Sequence, residues 1–503
     1  MVDFTREEVE AAIEEYAATL VEEEDEFIDD DEEEIEEPEE SEEEDSTETS
    51  ETSEEAELAA PEEEQEKEDD PKTVFEGKDL SGLDLSEINF RGISLKNTNL
   101  KTTNFSDSTL SNSNMDQVNL SEAILSNAEM ENVSCLETTA TNANFTLANM
   151  QGAKFLGSNL SGSNLDSANL RKSIFLEANL SKCNLNEADL SNSDFSRTDM
   201  SHATIIESNL SRGRFNGANL ESVDFTDSRL SMGVFFEANF KNANLNRAQV
   251  KGAKLAGGTF ENTNLPRADI TGADLTDAKF MNSNLSRAKL NGAILRRTYL
   301  KRSDLSEADL SIADLTGASL IEVKLIGANM ERIKLNQAKL PGARLCGAKM
   351  NKAKLAQVDL SKADMSGANL TGADLTESNL RDCDLSRANL TEAILQKANL
   401  KSTFLIGANL QKTDLTDVNL EGANISGVKL GKANCQKANM KNVDLQRSDL
   451  EHADFAQADL AGANLTGSKL VDAHFKNANL TGANLNLTDT TDTDFSDAKG
   501  YNS

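Results

Sequence analysis

Tryptophan is absent from these 503 residues, tyrosine occurs three times, and aromatics make up 5% of the chain. A globule organised around a large aromatic core is excluded by that scarcity. Five prolines and 28 glycines are too few for a low-complexity Pro/Gly chain. No apolar run approaches the ~18 residues that cross a bilayer, and the first 30 residues are acidic rather than basic and then apolar, as a secretory signal requires. A cytoplasmic protein without membrane insertion is the expectation. Five cysteines and three histidines leave little material for a disulfide framework or a metal centre.

Negative charge is what the chain has in excess, and it is unevenly placed. The formal net charge is -39. Residues 1-72 hold 37 acidic and 3 basic side chains, which leaves 51 and 46 for residues 73-503. Low hydrophobicity and charge of one sign oppose collapse, so 23-72 reads as a disordered acidic linker. Ahead of it, Thr5 and Glu8 form a capping box and Phe4 with Val9 a hydrophobic staple, which predicts a helix within 1-22. Val9, Ile13, Tyr16 and Leu20 fall at helical spacing and give that helix one apolar stripe. A lone amphipathic helix cannot bury its own stripe. It docks either on the rest of the chain as a cap or on a partner as a helix in a groove, and both remain open at this point.

From Phe75 to Phe495 a large apolar residue occupies every fifth position, through 85 consecutive pentads without insertion or deletion. Only Cys135, Ala140, Cys435 and Thr490 depart from Leu, Phe, Met, Ile or Val at this central position, i. Position i-2 is small, as in Ala168, Ser173, Ala178 and Cys183, and i-1 is usually Asn or Asp. A period of five matches neither helix nor strand, so a turning path must repeat. Four corners would close a coil of 20 residues, and Phe155, Phe175, Phe195, Phe215 and Phe235 are spaced by 20, as are Phe240, Phe260 and Phe280.

Ala218-Asn219-Leu220, Ala308-Asp309-Leu310 and Ala463-Asn464-Leu465 resemble the A-(D/N)-L-X-X consensus of the pentapeptide repeat family. The resemblance covers about five-sixths of the chain. It implies an all-β fold, a right-handed quadrilateral parallel β-helix of about 21 coils over 73-497, with i-2 and i lining the core and a disordered tail at 498-503. At about 4.8 Å per coil the rod would be on the order of 100 Å long. Bulky Leu83, Ile88 and Ile93 at i-2 suggest a thicker first coil, where a solenoid shields its terminal layer. Asn residues stacked at i-1 are expected to form hydrogen-bonded ladders.

The pattern offers no catalytic residue, cofactor site or metal site. His202 lies more than twelve coils from His452 and His474, and four of the five cysteines take inward slots, with only Cys346 outward at i+1. There is no glycine-rich phosphate loop, and the uninterrupted pentads leave no insertion from which a loop-rimmed active site could be built. Enzymatic activity is not expected.

Two outward features depart from the polar background. Lys324, Lys334, Lys339, Arg344, Lys349 and Lys354 occupy i-1 where Asn or Asp is usual, and should form a basic collar around nearly two coils. Direct nucleic-acid binding there is disfavoured, because no aromatic residues are interleaved for base stacking. The second feature is apolar: Leu136, Leu156 and Leu176 at i+1 stack into a ridge, Phe236 lies further along the same face, and Ile174, Phe404 and Ile406 are further outward apolar residues. A stacked apolar strip on a flat wall is a candidate protein contact.

These observations favour a non-enzymatic interaction scaffold, a rigid rod with a flexible acidic arm, its protein partner unidentified. Some members of the resembled family mimic duplex DNA and bind type II topoisomerases, which gives the alternative of a DNA mimic. Duplex DNA carries one charge per ~1.7 Å, on the order of 60 over such a rod, whereas residues 73-503 net -5. A structural spacer or end-to-end polymer, with self-association through strand edges, is the third reading.

Overall fold

The computed structural model describes residues 2–26 and 71–501. A helix α1, Arg6–Glu26, and a single 3-10 turn at Pro71–Thr73 precede an all-β solenoid. In the solenoid every i-1 residue bridges in parallel to the residue 20 positions on, from Asp79 with Asn99 to Asn479 with Lys499. Four pentads therefore make one coil. The walls are numbered here by their central residues: wall one holds Phe75, Leu95 and on to Phe155 and Phe235; wall two begins with Leu80, wall three with Leu85 and wall four with Phe90.

A coil this tight works because, where i-1 is Asn or Asp, each of the five amides has an acceptor. The i amide donates to the i-1 carbonyl one coil on (Leu80 to Asn99, 2.9 Å), and the i-1 amide to the i-2 carbonyl one coil back (Asn99 to Lys78, 2.8 Å). The i+2 amide donates to the i+1 carbonyl one coil on (Gly82 to Lys101, 2.9 Å), and the next amide closes the corner onto the i carbonyl (Leu83 to Leu80, 3.4 Å). The remaining amide, at i+1, donates to the i-1 side chain, as Ser81 does to Asp79 Oδ1 at 3.0 Å. The preference for Asn or Asp at i-1 is thus a backbone requirement. The corner puts i+2 in the left-handed region, with φ of 64° at Glu87 and 70° at Gly82. Spare Asn amides extend the ladders, with Asn219 donating to Asp199 (2.9 Å) and Asn239 to Asn219 (3.0 Å).

Every central residue from Phe75 to Leu480 is at most 2% exposed. Under wall one, Phe155, Phe175, Phe195, Phe215 and Phe235 stack at 4.9 to 5.2 Å with interplanar angles of 2 to 7°. The five rings thus keep nearly one orientation from coil to coil, a side-chain ladder of the kind that holds sheets flat. Most hydroxyls at i-2 are satisfied inside the core by donating to main-chain carbonyls, as Thr98 does to Phe75 (2.7 Å) and Ser158 to Cys135 (2.6 Å), whereas those of Ser113 and Ser378 are buried without a partner.

At the start of the rod, α1 lies against the first coil. Its capping box is formed, with Glu8 Oε2 accepting from the Thr5 amide at 2.6 Å and Thr5 Oγ1 accepting from the Glu8 amide at 3.3 Å. Val9 is fully buried, Tyr16 is 8% exposed, and Phe4 packs edge-on against Phe75 at 5.5 Å. The helix runs four residues beyond the expected boundary at 22, in keeping with the high helix propensity of Glu. The expected tail at 498-503 is also corrected: Lys499 completes the ladder with Asn479, and Tyr501 stacks on Phe495 at 3.8 Å. The acidic linker, apart from Glu23–Glu26 of α1 and Pro71–Lys72, lies outside the described residues, as do residues 502 and 503.

Candidate interaction surfaces

The side chains of i-1 and i+1 share a wall, since they hydrogen bond to each other within a pentad (Ser86 Oγ to Asp84 Oδ1, 2.8 Å) and between coils (Ser134 Oγ to Asp116 Oδ1, 2.6 Å). Leu136, Leu156, Leu176 and Phe236 therefore all lie on wall one. Leu156 and Phe236 are exposed, while Leu136 and Leu176 are half-buried. Two i-1 residues widen the strip, exposed Ile174 beside Leu176 and half-buried Val234 beside Phe236. Sequence reading missed Val234; counting the i-1 positions by twenties, as was done for i+1, would have found it. Two apolar patches result, one at Leu136, Leu156, Ile174 and Leu176 and one at Val234 and Phe236, with Asp194 and Arg214 between them. Those two charges pair along the wall at 3.7 Å.

Phe404 and Ile406, both exposed, sit side by side on wall three and are separate from that strip. Tyr299 is 52% exposed on wall two, with exposed Met281 and half-buried Ile321 on the adjacent coils of the same wall.

The collar residues Lys324, Lys334, Lys339, Arg344, Lys349 and Lys354 are all exposed and distributed over the four walls. Lys324 bridges to Arg344 and Lys334 to Lys354, so cations stack on cations. Aspartates border the collar. Lys324 lies 3.7 Å from Asp304 and Lys334 lies 4.0 Å from Asp314, while Asp359, Asp364 and Asp374 follow on the far side. Lys339, Arg344, Lys349 and Lys354 make no ion pair among the described residues. A dock for the chain's own acidic segment is geometrically demanding. The 44 residues between Glu26 and Pro71 start and finish at the first coil, and the collar begins 12 coils away, about 58 Å. A 44-residue tether running out and back reaches at most ~75 Å when fully extended.

The helix stripe is a correction to the partner reading. Val9, Ile13 and Tyr16 face the solenoid core and are not available to a partner. Leu20 lies on the same helix, and its side chain falls outside the described ones. What α1 covers is the open edge of the first coil. The Asp3 carboxylate accepts from the Asp79 amide (2.6 Å) and the Asp3 amide donates to the Asp79 carbonyl (2.7 Å). The Arg6 guanidinium donates to the carbonyls of Asp84 (3.1 Å) and Ser86 (3.0 Å), and Lys72 supplies a carbonyl to the Ser94 amide (2.8 Å). Each of these groups would otherwise be an unpaired strand edge.

Thiol and imidazole groups occupy structural places. Burial pushes the Cys183 and Cys383 thiols up to about 12, and raises those of Cys135 and Cys435 as well. Half-buried Cys346 donates to Asp364 Oδ2 at 2.8 Å. His452 lies 3.5 Å from Asp472 on the corner, and His474 bridges to Asp454 and Asp494. Among the described residues no three His, Cys, Asp or Glu groups converge as a metal site, and no helix is long and apolar enough to cross a membrane. A recess of about 280 Å³ at Gln411, Lys412, Gly431, Asp449 and His452 opens where Gly431 takes the place of a larger i+1 residue.

Profiles described as Pentapeptide repeats and Pentapeptide repeat region match residues 243–497 and 83–255, together 83–497. Among solved structures, HetL from Nostoc sp. strain PCC 7120, a pentapeptide repeat protein involved in heterocyst differentiation regulation, is 31% identical. The match covers 48% of this chain and 92% of HetL, with a TM-score of 0.30. QnrB1, a plasmid-mediated fluoroquinolone resistance protein, is 15% identical over 38% of this chain and 90% of its own, with a TM-score of 0.26. A pentapeptide repeat protein of the Arabidopsis thaliana thylakoid lumen is 28% identical over 27% and 68%, with a TM-score of 0.15. No curated protein matches.

Proposed function

The chain belongs to the pentapeptide repeat family, and from that premise we propose that it is a non-enzymatic, protein-binding scaffold. The reading takes the solenoid as a right-handed, four-sided rod of about 21 coils in the cytoplasm. The single observation behind it is wall one, where exposed Leu156, Ile174 and Phe236 stand on the same face. Two apolar patches aligned on one wall and rimmed by polar residues support a protein contact, and free thiols held neutral by burial support a reducing compartment. The alternative of a DNA mimic draws no support from the rod's net charge of -5 over residues 73-503. An end-to-end polymer is opposed at the first coil, where α1 already occupies the edge.

The test is capture from native extract by the intact protein and by a variant carrying Leu156→Asp and Phe236→Asp, with circular dichroism as the check on folding. The expected result is loss of specific captured proteins, self-copies included, with an unchanged spectrum. Identical capture by both proteins removes wall one from consideration.

A further inference from the structure

We propose that wall one, between about residues 134 and 276, is an isologous interface on which a second copy of this chain packs antiparallel. This inference rests on the reading of wall one as a protein contact and names its occupant. It follows from how the outward residues are ordered along the rod. Rows on this wall succeed one another every 20 residues, and rotation by 180° about an axis across the wall, midway between the Asp194 and Arg214 rows, reverses their order. The row of Ile174 and Leu176 then meets the partner copy's row of Val234 and Phe236, and the reverse contact repeats on the other side of the axis. The Asp194 row meets the Arg214 row. One operation thus places both apolar patches on apolar patches and both central charges on opposite charges, as a two-fold interface requires.

A parallel two-fold along the middle of the wall would lay Ile174 on Leu176 and Val234 on Phe236, but it sets Asp194 against Ser196, Arg214 against Asn216 and Lys154 against Leu156, so no charge on the wall meets an opposite one. Further out, the antiparallel register brings Leu156 to Ala256 and Asp116 to Arg296. Among the i-1 and i+1 positions its one like-charged encounter is Lys154 with Lys254, two exposed, flexible side chains with Asp274 one coil away, and at the corners Glu177 comes near Glu237 and Glu137 near Asp277.

The wall also has the shape for it. The phenylalanine rings beneath the rows from Phe155 to Phe235 keep their planes within 2 to 7° of one another from coil to coil, a side-chain ladder of the kind that holds a sheet flat. Eight rows at about 4.8 Å give about 38 Å of length, and a five-residue wall is at most ~17 Å wide. The footprint is on the order of 600 Å² per copy, or about 1,200 Å² in all, which reaches the lower end of stable interfaces.

The experiment uses the full chain in sedimentation equilibrium over a range of concentrations. The wild type is expected to approach twice the monomer mass and stop there. Arg214→Asp should weaken the dimer by at least ~10-fold, and Arg214→Asp combined with Asp194→Arg should restore it to within ~3-fold, because the charges have exchanged places. Register is read separately in a Cys346→Ser background. A chain with Lys154→Cys mixed with one carrying Lys254→Cys should form a disulfide-linked pair under mild oxidation. Neither alone should do so, since like positions then lie about 24 Å apart along the rod. A constant monomer mass, growth beyond a dimer, or crosslinking of each variant only to itself would overturn the proposal. If the protein stays monomeric while Leu156→Asp with Phe236→Asp still abolishes capture of other proteins, the second copy is wrong and the scaffold stands. Should that variant lose neither, both readings fall.

Discussion

Wall one from Leu156 to Phe236 and the collar from Lys324 to Lys354 are built on the same coil. In both, the central residue is at most 2% exposed and the backbone-to-backbone bonds follow one pattern, although the collar carries Val323 and Ile333 at i-2. They differ mainly in what stands outward at i-1 and i+1, Ile174, Leu176, Val234 and Phe236 in the one and six cations in the other. In a solenoid where each coil touches only its neighbours, inward positions carry most of the stability, and outward positions vary at the cost of at most the i-1 acceptor. Changes of similar size made inward and outward should therefore have effects of different kind.

The largest effect is expected inward. Phe195→Ala removes the middle ring of a five-ring stack and should cost about 3–5 kcal/mol, read as a lower urea midpoint with loss of protection in coils 155 to 235. Gly233→Ala should cost about 1–3 kcal/mol, because the added Cβ would lie 2.5 Å from Phe235 Cε2 and 3.0 Å from the Leu230 carbonyl. A midpoint unchanged by either substitution would break the division between inward and outward roles.

Next come the groups that close the first coil. Asp3→Ala with Arg6→Ala should cost about 1–3 kcal/mol locally. It should speed hydrogen exchange at the Asp79 amide and leave 324-354 unaffected. Altered exchange at the collar would instead show that the acidic segment reaches it.

Acid should act on the border of the collar. Burial works to raise the carboxyls of Asp304 and Asp314, yet hydrogen bonds from Ser306 and Thr316, with Lys324 and Arg296 nearby, hold both below the ordinary 3.8. A depressed carboxyl contributes stability that is present above its ordinary value and is lost as pH falls through the lower folded value. The unfolding temperature should fall with pH below about 4, and Asp314→Asn should flatten part of that slope. The smallest effect on folding belongs to the collar itself. Lys339→Gln with Lys349→Gln and Lys354→Gln should change stability by no more than ~0.5 kcal/mol, while weakening salt-dependent retention on a polyanionic matrix.

Much of this division was legible in the sequence. The 20-residue spacing of phenylalanines located the rings that stack, and the pentad phase identified Leu156 and Phe236 as outward. Val234 was not recognised, since one Val at i-1 among Asn and Asp carries no signal until its neighbours in space are known. The two roles left open for α1 were also beyond periodicity. Val9, Ile13 and Tyr16 define a stripe in either case, and only the hydrogen bonds of Asp3 and Arg6 to the first coil distinguish a cap from a free ligand.

The sequence by itself determined the coil. A strict period of five with small i-2 and large i admits one way to pack the interior, and the i-1 Asn or Asp completes the amide pattern locally, so no distant contact is needed. Tertiary structure decided which outward residues share a wall, in what order, and where α1 lies. Those properties depend on stacking residues 20 or more apart and on pairing the open edge of the first coil. Such relations arise only when the chain has coiled back upon itself.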